Sequence, residues 1–318
     1  VITELDNIII DDLLKPVEGK SPSGEYLRYT DTYDKIKIAL TEDNPKLEQG
    51  LWQRPLKKAD WLKAKEICIK TLKEESKDIQ ICNWLIVSLV HLHGFAGLSF
   101  GLELLYRLTT AFWNTVYPLP VEADLETRLA PFFWLEEKFF IDLRLMPITK
   151  PVFPDDVFTL DKWEKETKPS DSHFNMVFER FKETVFFSGE DHFSNIEKEI
   201  SSAFNSIAKL KDFLLEKDPG APHFVLLTST IESIKTITSM ALNEINSVKV
   251  VSVPAEETPA KEDKPEIKII PPAGKIPDVN HAYKLLEQIA DFLLINEPEK
   301  VTGYIIKNVA QFRKIQLK

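Results

Sequence analysis

Glycine, cysteine and an excess of positive charge are what this chain has little of. There are 10 glycines and 2 cysteines in 318 residues. Cys68 and Cys82 both sit in apolar helical patterns, which reads as small buried hydrophobes in a reducing compartment, not as a disulfide or a metal site. Fifty acids against 40 bases leave a net charge of −10, and no segment carries the basic footprint that nucleic-acid binding needs. The modest basic stretch of Arg54, Lys57, Lys58, Lys63 and Lys65 reads as a solvated helix face. No run of residues approaches the ~20 apolar positions that span a bilayer. The start of the chain, Val1 to Lys20, lacks the basic flank of a signal peptide. The expectation is a cytoplasmic protein with no direct membrane insertion and no nucleic-acid partner.

Catalytic signatures are also missing. There is no H-E-x-x-H, no glycine-rich phosphate loop, no C-x-x-C and no G-x-S-x-G. His91 and His93 lie two apart on one helix, so they point to different sides and are poor joint metal ligands. Asp11-Asp12, Glu122-Ala123-Asp124-Leu125-Glu126 and Asp155-Asp156 are paired acids of the kind a glycosidase or metal site uses. All three fall at helix starts or in loops, where acids favour the helix dipole and solvent. No catalytic, cofactor-binding or metal-binding residue is assigned and no cofactor is expected. An enzyme remains only as an alternative resting on scattered acids.

What is present is material for helices: 43% apolar and 10% aromatic residues. The chain is organised around Ser76 to Pro120. Ile79, Cys82, Leu85, Ile86 and Leu89 recur at helical spacing, and Leu98, Leu102, Leu105, Phe112 and Val116 repeat the pattern. Gly94 and Gly97 fall between the halves, and Gly101 follows. A glycine past an apolar run stops a helix, and two glycines on one helical face let a neighbouring backbone approach. The spacing predicts a tight helical hairpin wedged by Phe95, with Trp84 and Trp113 as large packing bodies.

On either side the pattern continues. Residues 1 to 30 read as an extended lead-in with turns, and Asp31 to Leu40 as a short amphipathic helix. Pro45, Gly50 and Pro55 break the pattern around a loop that Trp52 anchors. Asp60 caps a helix from Trp61 to Glu74, and Asp124 to Leu145 forms one more. Pro147, Pro151 and Pro154 close a helical domain over residues 1–154. In residues 155–246, Phe193, Ile196, Ile200, Ala203, Ile207, Leu210 and Leu214 step by alternating threes and fours. Phe224, Leu227, Ile231, Ile234, Thr238, Ala241 and Ile245 step identically. The Lys217 to Pro222 turn joins the two seams as antiparallel neighbours. Phe174, Phe178, Phe181 and Val185 supply a third helix, so a three-helix bundle is expected.

Residues 247–277 are rich in proline and scattered charge, the composition of a flexible tether. Residues 278–318 carry two helical stripes, Ala282-Leu286-Ile289-Leu293 and Val301-Tyr304-Ile305-Val309-Phe312. Two helices of this length cannot bury a self-sufficient core, so this hairpin is expected to pair with copies of itself or with another domain. Leu286, Ile289, Leu293, Tyr304, Ile305 and Phe312 are the candidate oligomerisation residues.

Several of these motifs, in order, resemble one family. Ser76-Lys77-Asp78, a helix with a central Trp84-Leu85, then Gly94-Phe95-Ala96-Gly97-Leu98 and a closing Trp113 to Pro118 spacing are similar to the ImpA N-terminal domain of TssA proteins of the bacterial type VI secretion system. Upstream, Ser21 to Tyr29, with Gly24, Leu27 and Arg28, resembles the family's P-x-G-E-D-L-R-Y opening, Tyr26 standing where Asp is usual. Arg128 and Trp134-Leu135 fit the helix that comes after. The resemblance runs over about residues 16 to 150. A weaker one, Ala282 to Pro298 followed by Tyr304-Ile305-Ile306, is similar to the family's ring-forming C-terminal domain, without the usual S-P after Glu297-Pro298. The resemblance implies an all-α, non-enzymatic assembly component that forms a ring-shaped homo-oligomer with arms. Its implied partners are the baseplate, tube and contractile sheath, and its implied work is priming the baseplate and coordinating polymerisation. A sheath-capping protein, or another scaffold with the same arm domain, is the alternative. The residues by themselves stop at a multidomain helical interaction protein.

Overall fold

The computed structural model describes residues 3–43, 55–122, 124–152, 156–167, 174–251, 279–296 and 306. Trp52, most of the expected tether, Tyr304, Ile305 and Phe312 lie outside the described residues. A small antiparallel pair, β1 (Glu4–Leu5) and β2 (Ile8–Ile9), leads into α1 (Ile10–Leu13). The rest is helical: α2 (Asp31–Leu40), α3 (Trp61–Glu74), α4 (Ile79–Phe112), α5 (Glu126–Trp134), a π-helical turn (Leu135–Phe139), α6 (Phe140–Leu145), α7 (Leu160–Glu166), α8 (Phe174–Ser188), α9 (Glu190–Lys217), α10 (Val225–Val251) and α11 (Val279–Asn296).

The expected central hairpin is α4. At Gly94 the backbone takes φ 61° and ψ −135°, a conformation that residues with a β-carbon rarely adopt. The helix therefore divides into arms 79–93 and 95–112, which fold back on each other. A β-carbon on Gly97 would stand 2.1 Å from the Leu89 carbonyl oxygen, and one on Gly101 would stand 2.7 Å from Ile86 Cγ1. Phe95 is buried at the bend and Trp84 is buried in the first arm. One expectation is corrected here. By length and composition Ile79–Phe112 is apolar enough to cross a membrane, but 72% of its most apolar window is buried inside the protein. Neighbouring helices cover it on nearly every side, so its apolarity is that of a core hairpin.

Both heptad-like seams are in place. All seven positions named on α9 and all seven from Phe224 to Ile245 are buried. Burying a Leu, Ile or Phe fully is worth about 1.5–3 kcal/mol, so these stripes fix how the helices face. Their partners differ from the expected self-contained bundle. Helix α9 packs more extensively on α4 than on α10, and α10 also packs on α6 and the π-helical turn. Ser206 Oγ donates to Glu103 Oε2 at 2.9 Å, and Trp113 meets Phe213 edge to face at 5.4 Å. Among the described residues one continuous core runs from Ile8 to Ile245. On α8 the buried apolar residues among those described are Val177, Phe181 and Val185, with Thr184 and Ser188 buried beside them and Phe178 packed at the edge.

Two helix boundaries also differ from expectation. The expected helix from Asp124 to Leu145 holds a π-helical turn over Leu135–Phe139, a few residues after Pro131. Each extra residue in such a turn rotates the side chains beyond it, and here Leu135, Phe139 and Leu143 turn inward. Helix α10 runs on to Val251, so the expected tether begins helically. Ala290 of α11 is fully buried, yet it is not part of the core that joins the other helices.

Candidate functional site

Part of the sequence that carried the family resemblance, the segments around Gly24, Lys77 and Pro118, meets in one place. The segment Glu75 to Asp78 is gripped from both sides by backbone hydrogen bonds. Glu25 N donates to Glu75 O at 3.0 Å and Lys77 N donates to Ser23 O at 2.8 Å. On the other side Tyr117 N donates to Lys77 O and Ile79 N to Tyr117 O, both at 2.9 Å. Gly24 has φ +70°, and a β-carbon there would lie 2.0 Å from Glu75 O. Only glycine permits that approach. Tyr117 closes the arrangement by donating its hydroxyl to Gly24 O at 3.0 Å.

Two charged residues lie inside. Lys77 is fully buried, and its ammonium donates to the carbonyls of Leu13 at 2.8 Å and Leu72 at 2.5 Å while lying 5.7 Å from the Phe112 ring. Burial lowers its pKa to about 8. Asp78 caps α4, its Oδ1 accepting from Gln80 N at 2.7 Å and Ile81 N at 3.1 Å. Burial raises its pKa to about 7, against the pull of those two amides. Its Oδ2 is buried and has no hydrogen-bond partner. Arg128, also buried, donates Nη1 to Trp113 O at 2.6 Å, Nε to Pro118 O at 3.1 Å and Nη2 to Val116 O at 3.2 Å. Its guanidinium lies 5.0 Å from the Trp113 ring. These bonds fix the turn after α4, as a rigid fork can.

Beside this locked turn a cleft of about 340 Å³ opens between α2, the start of α4 and α5. Tyr33, Trp84 and Trp134 line it, Tyr26, Arg28 and Lys37 stand at its edge, and Asp78 lies within its lining. Tyr33 and Trp84 pack edge to face at 4.5 Å, and Tyr26 stacks on Tyr117 at 5.3 Å. The structure thus brings Arg28 and Trp84 to one cleft, while buried Leu27 joins the core beneath. Gly94, Phe95 and Gly97 shape the far end of the hairpin, and Trp113 lies on the α9 side. Of the expected oligomerisation residues, Leu286 and Leu293 are half-buried and Ile289 is 47% exposed. Sequence reasoning passed over Tyr33, Lys37 and Asp78 as cleft residues. Asp78 sat within the Ser76-Lys77-Asp78 motif, which was the available signal.

The paired acids separate. Asp11 pairs with Arg107 at 2.5 Å, Asp12 with Lys15 at 2.7 Å, and Asp156 with Arg180 at 2.5 Å. Asp155 is outside the described residues, and Asp124 Oδ1 accepts from Glu126 N at 2.8 Å. His91 stacks on Trp61 at 3.8 Å while His93 faces Asp6 at 3.5 Å. Among the described residues no group of three His, Cys, Asp or Glu side chains is placed to hold a metal ion.

Residues 14–137, which hold the hairpin and the locked turn, match the family model described as ImpA, N-terminal, type VI secretion system. The type VI secretion system component TssA1 of Pseudomonas aeruginosa is 31% identical over 112 residues, which are 35% of this chain and 32% of that protein. The match thus spans about a third of the relative's length. A solved N-terminal domain, including the conserved ImpA_N region, of the TssA component from Burkholderia cenocepacia shares the fold. Its TM-score is 0.61 at 22% identity, over 74% of this chain and 94% of that one. Over residues 14–137 the chain is thus similar to the N-terminal part of TssA components of the type VI secretion system.

Proposed function

We propose that this protein is an assembly component of a type VI secretion apparatus, acting in the cytoplasm as a non-enzymatic hub. The residues before the tether form an arm that grips baseplate, tube or sheath components. The C-terminal residues 278–318 gather copies into a ring, so that many weak arm contacts add up through effective concentration. In this role the protein primes the baseplate and coordinates tube and sheath polymerisation.

One observation carries the reading. Every residue lining the aromatic cleft, from Tyr26 to Trp134, falls inside the segment that matches the ImpA N-terminal model. The matched segment is therefore more than a shared core, since it includes a partly open surface with fixed walls. The half-buried and exposed apolar residues of α11, Leu286, Ile289 and Leu293, support the self-association. The experiment is co-purification of residues 1–245 with each of the other secretion components from the same source. Retention of a baseplate, tube or sheath protein is expected. Retention of none of them would remove the proposed role.

A further inference from the structure

The cleft beside the locked turn offers chemistry that the packing does not consume. Its volume, about 340 Å³, is of the size that small ligands and peptide side chains fill. Tyr33, Trp84 and Trp134 give it flat apolar walls. At its edge Arg28 and Lys37 are exposed. Their charged ends lie over rings, Arg28 6.0 Å from Tyr29 and Lys37 5.2 Å from Tyr33. Asp78, 1% exposed, uses Oδ1 for the two amides of α4 and leaves Oδ2 without a donor. A buried oxygen left unpaired is costly, and a ligand bringing an N–H recovers that cost.

The charge pattern selects among ligands. Arg28, Lys37 and Asp78 are the charged residues of the lining, so two cations face one carboxylate on a chain whose net charge is −10. A cationic ligand would have to pass the two cations to reach Asp78. An extended peptide can satisfy all the groups together: a carboxylate at Arg28 and Lys37, a flat or branched side chain between the aromatic walls, and a backbone N–H at Asp78 Oδ2. We propose that this cleft is the docking site for an extended segment of a partner protein in which an acidic side chain adjoins an apolar or aromatic one. The docking does not depend on whether residues 278–318 gather copies, so it stands apart from the ring.

The test uses the full chain and two capped octapeptides, one alternating glutamate with leucine and tryptophan, the other with lysine replacing every glutamate. Titration calorimetry at low salt is expected to show the glutamate peptide binding at least ~10-fold more tightly than the lysine peptide. The Arg28→Glu/Lys37→Glu double variant is expected to lose that binding ~10-fold or more while keeping the wild-type melting temperature, both side chains being exposed. Lys37→Glu alone is the second variant, with a smaller loss in the same direction. Equal or tighter binding of the lysine peptide, binding unchanged in Lys37→Glu, or binding of neither peptide overturns the proposal.

Discussion

Gly97 lies against the backbone of Leu89 so closely that a β-carbon would stand 2.1 Å from its carbonyl oxygen and 2.4 Å from its carbonyl carbon. The two arms of α4 touch there through backbone, and the neighbour is not a side chain that can rotate away. Gly97→Ala is expected to destabilise the protein by about 3 kcal/mol or more, at the upper end of overpacking costs. Gly94 has open space around its missing β-carbon, so Gly94→Ala suffers only from its backbone angles, a cost of about 1–3 kcal/mol. At Gly101 the neighbour is the Ile86 side chain. Gly101→Ala should therefore be partly rescued by Ile86→Ala, whereas Gly97→Ala should not. Chemical denaturation of the four single variants and of the two doubles that combine Ile86→Ala with Gly97→Ala or Gly101→Ala checks this.

Arg128 ties three carbonyls of the turn after α4 with one guanidinium. Arg128→Lys keeps the charge and loses the fork. It is expected to cost about 3 kcal/mol, since hydrogen bonds to charged groups contribute about 1.5–3 kcal/mol each and a lysine can keep part of the set. Urea unfolding followed by tryptophan fluorescence reads the loss, as Trp113 lies under the guanidinium.

Lys77 and Asp78 set opposite slopes of stability against pH. The Asp78 carboxyl is raised from 3.8 to about 7 by burial, so the folded state holds its proton longer than the unfolded chain. Its contribution to stability is full below pH ~4 and lost as pH rises through ~7. The Lys77 ammonium is lowered from 10.5 to about 8 by burial, so the folded state releases its proton sooner. Its contribution rises as pH goes from ~8 to ~10.5. Each ionised group costs the folded state about 3–4 kcal/mol at pH 7–8, at 1.36 kcal/mol per pKa unit. Compared with wild type, Asp78→Asn should lack the fall between pH 4 and 7, and Lys77→Met should lack the rise above pH 8. Denaturant unfolding across pH measures both differences.

Because α9 packs on α4 and the core runs unbroken from Ile8 to Ile245, residues 1–245 should unfold as one unit. Calorimetry is expected to give a single transition. Residues 1–154 alone should expose the α4 face that α9 covers and aggregate or stay partly unfolded. Two separate transitions for residues 1–245 would show that the middle helices fold independently.

The seams of α9 and α10 were legible because an uninterrupted three-four spacing fixes which face is buried. It does not say what else covers that face, and so the packing of α9 on α4 as well as on α10 was not legible. The hairpin at Gly94 was legible because glycine is scarce here and its clustering stood out. The π-helical turn at Leu135–Phe139 was not, since it leaves the local composition helical and changes only the rotation of α6 about its axis. Much of the cleft was hidden for another reason. Tyr33 reads as one more apolar position on α2, Lys37 as a solvated base, and the unpaired Oδ2 of Asp78 exists only once Oδ1 has been taken by α4. Lys77 defied its residue type, since a lysine is seldom fully buried; its place is set by the carbonyls of Leu13 and Leu72, 64 and 5 residues away.

The proposed hub requires copies of the chain to gather through residues 278–318. Sedimentation velocity of the full chain, set beside residues 1–277, measures this directly. A particle of several subunits is expected for the full chain and a monomer for the shortened one. A full chain that sediments as a single 36.5 kDa subunit at high concentration would contradict the hub.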